Sequence, residues 1–436
     1  MLKLLKFSNV GPSLEAEINF SKRLNVLTGD NGLGKSFLLD IAWWAMTSRW
    51  PAEINLKLAS GFMATPAGKG EASIEFEIKT KDRVYNRSRK FDRDTQNWIA
   101  VRHYAVFSPG FMNLVLYAQA DGSFSVWDPA KNNWKQPDIN GSQDRIPAYV
   151  FNSVEVWEGL RDSKDKLLCN GLVADWAGWQ KENGEVFEVL CSVLKALSPD
   201  GELIEPGALT RISLDDPRDI PTIKMSYGMD VPLPKASAGM RRIISMAYML
   251  VWSWREHYQA CAFLDRPTTD QVTFLVDEIE AHLHPKWQRQ IVKALLNVTG
   301  KISNWPVVQL ITSTHSPMVM ASLEQLFDPE IDSWFDLDYA ESSGDSVQKV
   351  VITKRPFHKL GDASGWLVSE AFDLEYATSS EAESVLKKAS AVLSSGKEID
   401  EETARQLDND LRNVLSETNS FWIRWSYMVK KKGWLL

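Results

Sequence analysis

The sequence predicts an α/β fold in which buried parallel strands bring their C-terminal ends to one site. An antiparallel β subdomain, a helical lobe and a helical C-terminal tail complete it. Three apolar runs carry this expectation. Leu24-Asn-Val-Leu-Thr28 leads into Gly29-Asp-Asn-Gly-Leu-Gly-Lys35-Ser36 and then an apolar helix beginning Ser36-Phe-Leu-Leu. Phe274-Leu-Val-Asp277 ends in acid, and Val307-Val-Gln-Leu-Ile-Thr312 ends in Ser313-Thr-His-Ser-Pro317. Short apolar runs of this kind are typical of parallel strands buried on both faces, and α/β sheets bind ligands at the carboxyl edge of such strands.

Taken in order, residues 2–8 and 15–20 read as opening strands. The strand at 24–28, its glycine-rich loop and a helix to about Ser48 follow, so that residues 1–60 form the first part of the head. Residues 71–80, 85–91 and 99–106 read as β, as does a hairpin around Ala120-Asp-Gly-Ser123, which makes 61–150 the antiparallel subdomain. From Val154 to about Leu197 the pattern turns helical, with Val186, Leu190, Val193, Leu194 and Leu197 at helical spacing. Heptads are not sustained there, so 151–230 forms a compact lobe and not a long coiled-coil arm. Residues 200–235 are rich in Pro, Asp and Gly and read as loop and strand before a helix from Arg241 to about Trp254. The head is completed by 231–355, with a polar loop at 338–345 and a late strand at 347–353. Residues 356–436 read as a helical tail, in which Ser380 and Glu383 have capping-box spacing. Phe421, Trp425 and Met428 share a helix face there, either packing inward or docking a partner.

The first motif fits G-x-x-x-x-G-K-[ST] and lies between a strand and a helix, where its mechanics require it. Its glycines let the backbone N–H groups curl towards phosphates, and the helix N-terminus adds its positive dipole end. Gly29, Asp30, Asn31, Gly32, Leu33, Gly34, Lys35, Ser36 and Phe37 are therefore the expected nucleotide cradle. Lys35 is expected to reach the β- and γ-phosphates, and the Ser36 hydroxyl to bind Mg²⁺. Asp277, at a strand's carboxyl end, is expected to hold Mg²⁺ as well, directly or through water. Glu278 is placed to orient or deprotonate the attacking water, a role worth roughly 10²–10⁴-fold in rate. His315, at the end of another strand, is placed to contact the γ-phosphate as a neutral imidazole. Ser237, Ala238 and Gly239 stand before a long helix and form a second phosphate-binding helix end. Two such ends in one chain fit two nucleotides, each held between two copies.

With these motifs in this order, the chain resembles the ABC-type ATPases of the soluble branch that includes SMC, RecF and OLD-like proteins. Ser237–Gly239 resembles the signature motif, and Asp277-Glu278-Ile-Glu280-Ala-His282-Leu-His284-Pro285 resembles that branch's extended Walker B and D-loop. Thr314-His315-Ser316-Pro317 resembles its switch-histidine loop. The resemblance covers roughly 1–50 and 230–355. It implies an ABC-type P-loop ATPase head that uses ATP and Mg²⁺ and forms a homodimer through an ATP sandwich, with higher-order assembly possible. It also implies a glutamine-bearing loop that supplies a metal ligand. Asn152, in Pro147-Ala-Tyr-Val-Phe-Asn152, would stand in for that glutamine, and Gln119 is its rival. The motif set and size are similar to Septu-like and PARIS-like ATPases, which implies a separately encoded effector, a nuclease or toxin, in bacterial anti-phage defence. A RecF-like DNA-repair ATPase is the alternative. A transporter subunit fits poorly with the segment 280–285 and the helical tail.

A net charge of −8 excludes nucleic-acid binding through bulk charge. A local patch of Lys81, Arg83, Arg87, Arg89, Lys90 and Arg93 could still serve. Strand alternation would put Arg87 and Arg89 on one face to contact DNA or RNA, although a solvated hairpin explains the patch equally well. Three cysteines without metal-like spacing argue against a disulfide framework, and the chain enters a strand without a signal peptide. The longest apolar helix, 243–254, is too short to span a bilayer, so no membrane and a reducing cytoplasm are expected. The 18 tryptophans include close pairs such as Trp43-Trp44, Trp252/Trp254 and Trp422/Trp425, either as core or as docking surface.

Overall fold

The computed structural model describes the chain except residues 82, 102–112, 133–145, 200, 299–306, 341–348, 396–399 and 435–436. Parts of the expected 99–106 strand, 338–345 loop and 347–353 strand lie outside the described residues. The chain forms two compact units, Met1–Ala363 and Ser364–Leu436.

Alternation of Leu5 and Phe7 with lysines builds the first strand, β1 (Leu2–Val10), which turns into β2 (Ser13–Asn19). The strand β3 (Leu24–Gly29), buried from Leu24 to Thr28, feeds the glycine-rich loop and α1 (Lys35–Thr47), then the short α2 (Pro51–Ile54). Three antiparallel strands follow, β4 (Ser73–Lys79), β5 (Val84–Asp92) and β6 (Asn97–Ala100). Next come β7 (Leu114–Ala118), β8 (Phe124–Trp127), α3 (Pro129–Asn132), β9 (Tyr149–Phe151) and α4 (Ser153–Glu158). The hairpin of β10 (Leu160–Arg161) and β11 (Leu167–Cys169) precedes α5 (Leu172–Glu182) and α6 (Glu185–Leu197). A small sheet of β12 (Glu205–Pro206), β13 (Thr222–Lys224) and β14 (Asp230–Pro232) leads to α7 (Ala238–Phe263). The head then closes with β15 (Gln271–Val276), α8 (Pro285–Gln288), α9 (Ile291–Val298), β16 (Val307–Ser313), α10 (Pro317–Leu323), β17 (Asp332–Tyr339) and β18 (Val350–Arg355). The remaining helices are α11 (Ala363–Leu367), α12 (Ser380–Ser395), α13 (Glu401–Val414) and α14 (Phe421–Lys432).

Two sheets organise the first unit. One is antiparallel, in the order β2-β1-β4-β5-β6; the other has the order β18-β17-β3-β16-β15-β7-β8-β9. Its five inner strands, β17 to β7, are all parallel. Gln309 on β16 stitches the sheets together, accepting from Leu2 N at 2.9 Å and donating to Leu2 O at 2.7 Å and Ser21 O at 2.9 Å. Trp43 and Trp44 are core residues: Trp44 stacks on Trp50 at 5.1 Å and meets the ring of Phe76 edge-on. Trp252 and Trp254 on α7 are buried as well. All three cysteines are free thiols. Among the described residues no helix is long and apolar enough to cross a membrane.

Three local expectations differ from what forms. The hairpin around Ala120-Asp-Gly-Ser123 is the β7–β8 turn, but it extends the parallel sheet and not the antiparallel one, because β7 pairs with the distant β15. The helical run from Val154 is interrupted by the β10–β11 hairpin, where Asp162 Oδ1 accepts from Lys164 N and Lys166 N, each at 2.8 Å. In the tail, the side chain that caps the first turn of α12 is Ser379, through Ala382 N, while Glu383 pairs with Lys387. Phe421 and Trp425 point into the tail's own core with Leu386, Leu407 and Leu411, and Met428 packs against it.

Candidate active site

The parallel register sets the site. Thr312 lies opposite Val276, and Val276 opposite Ala118, so that Ser313, Asp277 and Gln119 emerge side by side at one edge of the sheet. β3 pairs with β16 up to Leu27–Ser313 and delivers the glycine-rich loop to that same edge. Gly29, Gly32 and Gly34 all have positive φ, at 126°, 84° and 96°. A Cβ on Gly29 would lie 2.2 Å from Leu337 O, so the close approach of β17 demands glycine there. Leu33 is buried in the core, and the ring of Phe37 packs over Gly11, so both can offer only backbone N–H groups to a ligand. Asp30, Asn31, Gly32 and Ser36 are exposed.

Lys35 Nζ reaches back along the loop, donating to Gly29 O at 2.7 Å and Asp30 O at 2.8 Å. Burial lowers its pKa to about 8, against the opposing pull of Asp277, Asp30, Glu278 and Glu280. Four carboxylates thus face one ammonium. Asp277 is buried, and its Oδ1 accepts from Ser313 Oγ at 2.6 Å, while that hydroxyl accepts from Glu278 N at 2.8 Å. Ser313 therefore sets the spacing of the two acids. Glu278 has a left-handed backbone, φ 46°, a conformation rare for a non-glycine residue and concentrated at functional sites. His315 is half-buried, and burial together with Lys35 lowers its pKa, which keeps the imidazole neutral near pH 7.

Ser237 is the N-cap of α7, its Oγ accepting from Met240 N at 3.3 Å. Ser237 and Ala238 are exposed, whereas Gly239 packs on the D-loop: a Cβ there would lie 2.6 Å from His282 O. One turn on, Arg242 donates to Gln119 O at 2.5 Å and to Asp277 O at 3.2 Å, fixing the start of α7 to two strand ends.

The assignment of Asn152 to magnesium is not what forms. Its Oδ1 accepts from Val154 N and Glu155 N, each at 2.9 Å, and Glu155 returns the bond, so Asn152 is the capping-box residue of α4. Its rival Gln119 stands beside Asp277, 1 % exposed, with Nε2 donating to Ser60 Oγ at 3.0 Å. Gln119 Oε1 is buried and makes no hydrogen bond among the described residues. A buried amide oxygen left unpaired at the strand end that neighbours Asp277 is a suitable donor for a hard cation, so the residues present fit magnesium.

Two further acids join the site, neither with a role assigned from the sequence. Glu280 accepts from Thr314 Oγ1 at 2.7 Å and from His315 N at 2.5 Å, and its pKa is raised by burial. Asp40, on α1 behind the loop, accepts from Tyr117 Oη at 2.9 Å, and burial raises its pKa to about 7. Both are acids near the phosphate loop in the sequence or the fold, but only the folded contacts reveal their partners. Arg87 and Arg89 do share a face of β5, opposite Phe76 and Ile74. Both are half-buried: Arg87 lies 5.8 Å from the centre of the Tyr85 ring, and burial lowers the pKa of Arg89.

Residues 24–321 match the family described as "AAA domain, putative AbiEii toxin, Type IV TA system". The chain is 32 % identical over 349 residues to "Retron Vc95 probable ATPase" of Vibrio cholerae serotype O1 biovar El Tor, a match covering 74 % of this chain and 62 % of that protein. It is 22 % identical over 334 residues to "Septu protein PtuA" of Bacillus thuringiensis, covering 74 % of each. The chain thus spans less than two thirds of the length of the retron relative. Among solved structures, the SMC head domain from Thermotoga maritima aligns with a TM-score of 0.38 at 15 % identity, over 81 % of this chain and 99 % of that one. The family match runs from the strand before the glycine-rich loop to the helix after the histidine loop, and the chain belongs to that AAA-domain family.

Proposed function

We propose that this chain binds and hydrolyses ATP at a site shared between two copies of itself, and that the ATP-bound dimer gates a separately encoded effector, a nuclease or toxin, in anti-phage defence. The observation that carries the reading is the convergence of the glycine-rich loop, Asp277, Glu278 and the His315 loop at one sheet edge, with Ser237 and Ala238 exposed at the start of α7. An exposed helix N-terminus capped by serine is suited to a phosphate presented by a second copy. The retron and Septu relatives support the defence setting.

In this reading Lys35 draws the β- and γ-phosphates onto the loop amides, and Glu278 accepts the proton of the attacking water. The neutral His315 donates a hydrogen bond to the γ-phosphate as negative charge moves onto it. Ser36 Oγ, Asp277 and Gln119 Oε1 would hold magnesium, which supplies charge neutralisation across the two phosphates when bound. A second reading, a DNA-binding repair ATPase, draws on the shared face of Arg87 and Arg89, and DNA-stimulated turnover would favour it.

Glu278→Gln is expected to retain ATP binding, slow turnover by roughly 10² or more, and double the molar mass by light scattering when Mg-ATP is added. A mass unchanged by Mg-ATP would sink the shared-site reading. Wild-type turnover in the variant would remove Glu278 from its role.

A further inference from the structure

Glu280 lies two residues beyond Glu278, in the strap that runs from β15 to α8, and both of its carboxylate oxygens go to the loop after β16. Oε2 takes the Thr314 hydroxyl at 2.7 Å, and Oε1 takes the backbone N–H of His315 at 2.5 Å. The same strap grips that loop a second time. Ser316 Oγ donates to Gln288 Oε1 at 2.6 Å, and Gln288 Nε2 donates to Leu283 O at 2.8 Å. His315 is therefore fixed through its own backbone and through both neighbours, by a segment that begins at Glu278. Hydrogen bonds to an ionised acceptor are shorter and roughly twice as strong as neutral ones, and a misplacement of about 1 Å can cost about 10²-fold in rate.

We infer that Glu280 is a positioning residue for ATP hydrolysis: its carboxylate fixes the Thr314-His315 backbone, so that the imidazole of His315 and the carboxylate of Glu278 address the same γ-phosphate. The inference rests on the reading of His315 as the γ-phosphate contact. Glutamine at 280 keeps an acceptor for His315 N, and its amide can donate to Thr314 Oγ1 once that hydroxyl turns. Alanine supplies neither bond.

The test is a double-mutant cycle on the full chain, measuring kcat, KM and equilibrium ATP affinity for Glu280→Ala, Glu280→Gln, His315→Ala and the Glu280→Ala/His315→Ala pair. Glu280→Ala should lower kcat about 10- to 100-fold with KM and affinity little changed, and Glu280→Gln should recover most of that loss. On top of His315→Ala, Glu280→Ala should cost nothing further, because residues that act as one unit are not additive. Additive losses, or a loss confined to KM, would overturn the inference. If Glu280→Ala does not fold, Thr314→Val removes one of the two bonds with little change of volume and carries the same cycle. Wild-type turnover in His315→Ala would overturn the reading of His315 and this inference together. A large His315→Ala loss with additive Glu280→Ala overturns the inference alone.

Discussion

A buried oxygen that lacks a partner costs about 1–3 kcal/mol, and Gln119 Oε1 has none among the described residues. Gln119→Ala should raise the magnesium concentration needed for half-maximal turnover. Asn152→Ala should leave that requirement alone and lower stability by about 1 kcal/mol, the usual value of a helix cap. Titrating ATPase activity with magnesium and melting both variants checks the pair. Asp40 carries a second prediction. In the unfolded chain its carboxyl loses its proton near pH 4, whereas in the fold burial holds it to about pH 7. The unfolded state therefore sheds a proton that the native state keeps, and stability falls as pH rises from about 4 to about 7, then levels. Asp40→Asn should lack this part of the slope when thermal unfolding is followed across that range. At this scale the sequence was informative where chemistry is local. Lys35, Ser36 and the glycines announce themselves by spacing, and Asp277 and His315 by ending apolar runs. Gln119 was only a rival there, since its place depends on β7 pairing with β15 across more than 150 residues.

Among the elements, α7 runs furthest beyond its apolar pattern. Its periodicity predicts an end near Trp254, because Arg255, Glu256 and His257 break the apolar pattern, yet the helix runs to Phe263. The polar residues are satisfied from outside the helix. His257 pairs with Asp128 at 2.7 Å and accepts from Thr269 N at 3.0 Å, and Glu256 takes Lys131. Pairing of this kind is tertiary and leaves no trace in periodicity. At the other end, Ser237 and Ala238 are exposed, and Arg242 pins the first turns to the sheet. Ser237→Arg should leave ATP binding by the monomer within about twofold while abolishing turnover, since the added bulk falls where a second copy's phosphate would sit. Binding by fluorescence titration and turnover by phosphate release separate the two effects. Normal hydrolysis in this variant would exclude a shared site.

For the whole molecule, the division into two units makes a specific claim about the tail. Trp425 is buried, packs with Leu386 and Leu411, and its Nε1 donates to Asp408 at 2.9 Å. Trp425→Ala should cost the tail about 3–5 kcal/mol, raising hydrogen exchange across α12 to α14 with the phosphate loop unaffected. That the chain ends in a run of helices could be read from periodicity. Membership of the two sheets could not, because β1 and β2 join β4 while β3, between them in sequence, joins strands at the far end of the head.

That last arrangement bears on how the chain is made. Leu24, at the start of the strand that carries the phosphate loop, pairs with Leu310 on one side and Asp332 on the other. Leu24 N bonds to the side chain of Asp332, 308 residues later. At a synthesis rate of about 5–20 residues per second, the strand waits on the order of 15–60 s for its neighbours to leave the ribosome. Throughout that interval an apolar strand edge stands open. Unpaired strand edges of this kind make partly folded chains prone to aggregation, and the strand that carries the glycine-rich loop completes its pairing only once β16 and β17 have been made.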